Sequence, residues 1–215
     1  MREVNYSKNP SFFDLYKAIN KKKVLEIGSN YGDITCQILR MKPQELVASE
    51  VDQDFLIHLK KRFMQNNNVS IRELNILDPK QELLIQFDTV IVKEIINAFK
   101  SDYYNSILAN SFYFLRNEGS LIIIDYLPNI HIRQLVVSIL MNPIRIHKYF
   151  KRYKYNIKNK KQLDFMKLSQ YFEDYSSSIS FYKNVDPFNE YDSLLHKLLE
   201  KIFPMKYMFI VKKIK

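Results

Sequence analysis

A short apolar run, Val24 to Ile27, carries one acid, Glu26, and ends in the turn Gly28-Ser29-Asn30-Tyr31-Gly32, after which a helical pattern begins. The chain has three glycines, and two of them stand in this one turn. Glycine is placed where a backbone must bend sharply or let a ligand come close. A strand that runs through such a turn into a helix commits the chain to βα architecture. It also leaves unpaired N–H groups at the helix start, where a ligand can sit. For the glycines alone, an ordinary strand-to-helix turn explains as much.

A second apolar strand, Leu46 to Ala48, adds weight to the ligand reading because it runs into Glu50. In doubly wound α/β folds ligands lie at the carboxyl ends of the strands, and an acid about 20 residues past the glycine turn takes the ribose hydroxyls. A carboxylate can accept from both hydroxyls at once. Glu50 ends the strand and fits that role, while Asp52 is placed to cap the next helix.

The rest of the chain keeps the same rhythm. Strands are expected near 23–27, 46–49, 69–73, 88–92 and 120–125, with helices over 10–20, 32–40, 53–65 and 102–115. The first helix has the apolar stripe Phe12, Phe13, Leu15, Tyr16 and Ile19. After Asp125 the alternation stops. Residues 129–175 read as helical, and a strand pair resumes near 178–184 and 207–213. The expectation is one α/β domain over 1–215. The alternation makes its sheet mostly parallel and seven-stranded, with a helical insertion over 129–175 after the fifth strand.

In order along the chain, Glu26-Ile-Gly28-Ser-Asn30-Tyr-Gly32, Glu50, Asn75-Ile-Leu-Asp78, the strand exit Val92-Lys93-Glu94, Gly119-Ser-Leu-Ile-Ile-Ile-Asp125 and Tyr207 to Lys213 resemble the motifs of class I S-adenosylmethionine-dependent methyltransferases. The resemblance covers most of 20–126 and the C-terminus. It implies a doubly wound strand order, an antiparallel C-terminal strand and a lid-like role for the insertion over 129–175. It also implies methyl transfer with S-adenosyl-L-methionine, held by Glu26, Gly28, Ser29, Asn30, Gly32, Glu50, Val51, Asn75, Ile76 and Lys93. Asn75 stands where the family usually has an acid against the adenine, so its amide oxygen would take that hydrogen bond. Asn30 replaces the family's central glycine, and asparagine is the non-glycine residue that best tolerates a left-handed backbone. A dinucleotide is the competing ligand, but its fingerprint spaces the glycines differently. Asp33 beside the loop also suits a sulfonium better than a pyrophosphate.

The acceptor is less legible. Between Ile144 and Lys161 stand eight Lys or Arg and no acid, in a chain of net charge +10. Tyr149, Phe150, Tyr153 and Tyr155 are interleaved, and an apolar run, Leu135 to Met141, comes before. Such a stretch can lie on an anionic membrane, bind RNA, recruit an anionic substrate, or form a solvated face in a lysine-rich chain. Its place after the fifth strand suits a roof over the acceptor pocket. For a hydroxyl acceptor a base must take a proton. Glu94, Asp125 and His131 are the candidates, with Tyr6, Tyr126 and His147 as substrate contacts. After strand four, methyltransferases of RNA and DNA bases usually carry Asn/Asp-Pro-Pro-Tyr. Val92-Lys93-Glu94-Ile95 does not match, although Glu50-Val-Asp52 and Asn75-Ile-Leu look a little like the ribosomal RNA adenine dimethylases. The reading is therefore a small molecule, or a lipid or sugar head group, with oxygen favoured over nitrogen or carbon. An RNA methyltransferase, or a cofactor-binding subunit without catalysis, is the alternative.

No Cys/His spacing for a metal, no Gly-x-Ser-x-Gly elbow and no Walker loop occurs in the sequence. The single cysteine, Cys36, excludes an internal disulfide. The sequence shows no leader pattern and no apolar run of 18 residues, which leads to a cytoplasmic expectation.

Overall fold

A computed structural model describes residues 10–79, 87–126, 171–172, 176–183 and 206–214. Seven strands form a single sheet in the order β3-β2-β1-β4-β5-β7-β6. They are β1 (Lys23–Ile27), β2 (Glu45–Glu50), β3 (Val69–Glu73), β4 (Phe87–Lys93), β5 (Leu115–Tyr126), β6 (Ser176–Lys183) and β7 (Lys206–Lys213). The first five run parallel, and β7 is antiparallel to both β5 and β6. Among the described residues the α-helices are α1 (Pro10–Ile19), α2 (Asp33–Arg40), α3 (Gln53–Phe63) and α4 (Tyr104–Tyr113), and Tyr171 and Phe172 are helical too. From β1 the chain winds outward to β3, then returns on the other side of β1 as β4. That reversal opens a crevice at the carboxyl ends of β1 and β4, where ligands bind in such sheets.

Continuous apolar strands bury both faces because successive residues point to opposite sides. Leu25, Ile27, Val90, Val92, Ile123 and Phe209 pack with Ile107 and Leu108 of α4. Val24, Leu46, Ile91, Ile122, Ile124 and Met208 pack with Leu15 and Ile19 of α1 and Ile38 of α2. Each fully buried side chain of this kind contributes roughly 1.5–3 kcal/mol.

Three sequence expectations shift. Phe13 leaves the α1 stripe and lies half-exposed beneath the Lys17 ammonium, 4.0 Å from the ring centroid. The fourth helix ends at Tyr113 instead of 115, because β5 starts five residues early: Leu115 pairs with Phe87 before the register jumps to Thr89–Ser120. In the intervening excursion Glu118, not Gly119, takes the left-handed backbone (φ 62°). Gly119 is there for closeness, since a Cβ would sit 2.9 Å from the Arg116 carbonyl oxygen and 3.1 Å from that of Asp88. The helical insertion expected over 129–175, with the basic stretch 144–161, lies outside the described residues apart from Tyr171 and Phe172.

Candidate cofactor site

Glu26 is the innermost group of the site. It leaves β1 on the α2 side and is buried. Thr35, in the first turns of α2, donates from Oγ1 to Glu26 Oε2 at 2.6 Å. Burial raises the Glu26 carboxyl to about 7, against the lowering effects of the Thr35 hydrogen bond and the Lys93 charge. Ser49 ties the next strand to the same point, donating from Oγ to the Glu26 carbonyl at 2.6 Å.

The turn that follows has left-handed backbone at three alternate positions: Gly28 (φ 74°), Asn30 (φ 49°) and Gly32 (φ 83°). These are the three positions the family pattern gives to glycine, and asparagine fills the middle one in the expected conformation. The amides of Gly28 and Ser29 both donate to the Ser49 carbonyl at 2.9 Å, and Gly32 N–H closes the turn on Ser29 O at 2.8 Å. A Cβ on Gly28 would overlap Ile95, just past β4. A Cβ on Gly32 would meet Phe63 at 2.5 Å and Leu59 at 2.9 Å, so this glycine lets α3 pack against the turn.

Glu50 ends β2 facing the same crevice and is buried. Its Oε2 accepts from Asn30 N–H at 2.9 Å; its Oε1 accepts from Val51 N–H at 2.8 Å and Asp52 N–H at 3.3 Å. The carboxylate is thus aimed by backbone, with lone pairs left on both oxygens. Asp52 caps α3, accepting from the amides of Asp54 and Phe55. Val51 is 54% exposed beside Glu50. Asn75 forms a local turn in which its Oδ1 accepts from Leu77 N–H at 3.0 Å. The Ile76 side chain is buried in the core, and its carbonyl accepts from Asn110.

Lys93 Nζ lies 2.6 Å from Glu94 Oε1, and the Lys93 charge also reaches Glu26 across the β1–β4 junction. Glu94 has left-handed backbone (φ 58°), which is uncommon for a residue with a long side chain. Asp125 points to the opposite face of the sheet and is fully buried. It lies near Tyr104 at the start of α4 and Tyr207, its cross-strand partner. Burial first, then the Asp125 charge, pushes both phenols up, so they stay protonated donors. Tyr126 closes β5 opposite Lys206. Tyr6, His131 and His147 lie outside the described residues.

The residues therefore gather as Glu26, the turn, Glu50 and Lys93 in one crevice, with Asp125 in a separate phenol-lined cluster. Thr35 and Ser49 are the partners that motif reading missed. Their signal is positional: Thr35 lies nine residues past Glu26, and the contact exists only once α2 folds back. Another groove, of about 870 Å³, opens at the amino ends of β4 and β5 and is lined by α1 and β6 as well. Of its three acids, Asp88 is engaged by Arg116 and the Lys23 amide, and Asp14 by Tyr182. It lies at the far end of the sheet from the glycine turn.

S-adenosylmethionine fits the crevice. The Ser29 hydroxyl is buried beside Glu26 and helps hold down its carboxyl, yet makes no hydrogen bond of full geometry among the described residues. Such an atom is satisfied by a ligand or water. The buried acids Glu26 and Glu50 suit a ligand with a sulfonium and an ammonium and would repel a pyrophosphate. Asp33 plays little part, because Arg62 engages it at 2.8 Å. Among the described residues no group of three or more His, Cys, Asp or Glu could hold a metal ion, and no helix is long and apolar enough to cross a membrane.

No protein-family model matches the chain. A curated protein named ribosomal RNA small subunit methyltransferase A, from Pelagibacter ubique, is 33% identical over 85 residues, which is 37% of this chain and 32% of that protein. The matched stretch thus spans about a third of that relative's length. Among solved structures, the methyltransferase domain of bacterial CtHen1-C superposes with a TM-score of 0.63 at 16% identity, covering 98% of this chain and 99% of that one. The N-methyltransferase NodS of Bradyrhizobium japonicum, solved with S-adenosyl-L-homocysteine, gives 0.60 at 11% identity, covering 99% and 94%. In strand order, turn and acid placement alike, the chain has the fold of the class I, Rossmann-like S-adenosylmethionine-dependent methyltransferases.

Proposed function

We propose that this protein transfers the methyl group of S-adenosylmethionine to a small molecule, or to a lipid or sugar head group. The observation that carries it is the left-handed Gly28-Asn30-Gly32 turn facing two buried acids, Glu26 and Glu50, at the point where the sheet reverses. When bound, the cofactor supplies a methyl already activated on a sulfonium. Glu50 would hold the ribose hydroxyls, and the turn with Glu26, Ser29 and Lys93 the methionine end. Exposed Val51 would lie along the adenine. The free lone pair of Asn75 Oδ1 would take its amino group, with Ile76 as the core support beneath.

For the acceptor the protein must align, exclude water and dispose of a proton. Glu94 follows β4, at the edge where an acceptor would meet the methyl, and is the better placed base. Asp125, the second-last residue of β5, is buried on the opposite face and would reach an acceptor only through its phenol cluster. The exit of β4 carries the Lys93–Glu94 ion pair and an isoleucine packed on Gly28, in place of a grip for a flipped base. That favours a small acceptor, with oxygen ahead of nitrogen and carbon as the sequence suggests.

Glu50→Ala should weaken S-adenosylhomocysteine binding by about 1–3 kcal/mol, the scale for losing charge-assisted hydrogen bonds. Titration calorimetry reads it. Unchanged affinity, or tighter binding of NAD by the wild type, would sink the assignment.

The name of the curated relative and the basic stretch 144–161 favour one second reading, an RNA acceptor. In that case binding to RNA should fall steeply with salt, because each neutralised phosphate releases counterions. Anionic vesicles test a membrane contact in the same way. Gel shifts and vesicle sedimentation at low and physiological salt decide between them. Failure to bind either, with turnover on a small acceptor, rejects both contacts. Cofactor binding without turnover on any acceptor would instead point to a subunit that has lost catalysis.

A further inference from the structure

We infer that Arg62 of α3 is a positioning residue for the cofactor turn, fixing the Tyr31–Gly32 peptide in the orientation that the ligand meets. The inference rests on the reading of this turn as the S-adenosylmethionine site.

Left-handed backbone at Gly28, Asn30 and Gly32 is not a shape a short turn holds unaided, and for the asparagine it is uphill. Its inner edge is held by β2, through Ser49 O and Glu50 Oε2. Its outer edge is held by α3. Arg62 Nη1 donates to the Tyr31 carbonyl and, at 2.8 Å, to Asp33 Oδ1 at the start of α2. The Tyr31 ring meets Phe55 and His58 edge-on, with centroids 4.7 and 5.3 Å away. The missing Cβ of Gly32 is what admits α3 this close. In a trans peptide the C=O and the following N–H point in opposite directions. Drawing the Tyr31 carbonyl outward to Arg62 therefore turns Gly32 N–H inward, onto Ser29 O.

Global stability does not account for the arrangement. The side chains of the Arg62–Asp33 pair are 33% and 81% exposed, and exposed pairs contribute little. Orientation does account for it: one nitrogen of the planar guanidinium donates to both acceptors, its two N–H directions fixed by the plane, whereas an ammonium's donors rotate freely. A turn set before the ligand arrives spares the ordering that binding would otherwise require.

The test compares Arg62→Ala, Arg62→Lys and Asp33→Asn. In the ligand-free protein, Arg62→Ala should speed amide hydrogen exchange at Asn30, Tyr31 and Gly32 by about 10-fold or more, leaving the α3 amides of Leu59 and Phe63 unchanged. Affinity for S-adenosylhomocysteine should fall about 10-fold, and KM for S-adenosylmethionine should rise with kcat kept, the pattern of lost uniform binding. Arg62→Lys should recover part of both effects. Asp33→Asn, which keeps the Tyr31 contact, should stay within about twofold. Unchanged turn exchange in Arg62→Ala, or affinity within twofold of wild type, overturns the role. If the wild type binds no S-adenosylhomocysteine, the cofactor reading fails, and the exchange measurement still judges Arg62.

Discussion

Gly32→Ala is expected to lower the stability of the folded protein by about 2–5 kcal/mol. A left-handed backbone (φ 83°) costs a residue with a side chain about 1–2 kcal/mol. The new methyl must also displace the Phe63 ring and Leu59, both buried in α3, and overpacking of this kind costs about 1–3 kcal/mol. Urea unfolding reads the loss directly. Gly28→Ala is the contrasting case. It meets only the flexible end of Ile95, so it should cost less stability while still disturbing the cofactor turn. A loss below about 1 kcal/mol for Gly32→Ala would mean that α3 can move away from the turn, and the account of Arg62 would weaken with it.

Glu26→Gln is expected to act in the opposite direction. The folded protein holds the Glu26 carboxyl at about 7, above its ordinary 4.5. A group raised in this way contributes stability that is fully present below the unfolded value and is lost as pH rises through the folded one. Between about pH 4.5 and 7, then, ionisation works against the fold. The loss amounts to about 3 kcal/mol, on the scale of 1.36 kcal/mol per unit. Glutamine keeps an oxygen for Thr35 Oγ1 and carries no charge to bury. The variant should match wild type near pH 4.5 and exceed it by up to about 3 kcal/mol at pH 8, with a flatter profile between. Under the proposed function it should also bind S-adenosylhomocysteine more weakly, because the ligand's ammonium loses an anionic neighbour. Thermal unfolding across this pH range, paired with calorimetry, measures both. A variant less stable than wild type at pH 8 would show that the carboxylate is fully compensated where it sits.

Such a position, where stability and binding pull apart, is one a single sequence reveals only in part. Glu26 was legible as an acid in an apolar strand. Its proton affinity was not, because that depends first on burial and then on Thr35, Lys93 and Glu50 arriving from three other elements. Asn30, Glu50 and the Asp52 cap were legible because residue type and place at a turn, a strand end and a helix start mark them, and the parallel strands followed from βα alternation. Phe13 misled because helical periodicity leaves two neighbouring positions nearly equivalent, and packing chose Leu15 and Ile19. The early start of β5 was hidden because Gly119 reads as a turn glycine, while the chain bulges at Glu118 and pairs on both sides of it. Arg62 was invisible for the plainest reason: its partners are about thirty positions away in the sequence, and nothing in a helix of mixed charge marks which arginine reaches back.

The place of β7 in the sheet has a consequence for synthesis. Among the described residues β6 pairs with β7 alone, and β7 lies between it and β5. A ribosome therefore delivers β6 before the strand that joins it to the rest of the sheet. At about 5–20 residues per second the wait lasts on the order of seconds. During that time β5 presents an open, apolar edge, and a nascent chain stalled there would be the species most in need of a chaperone.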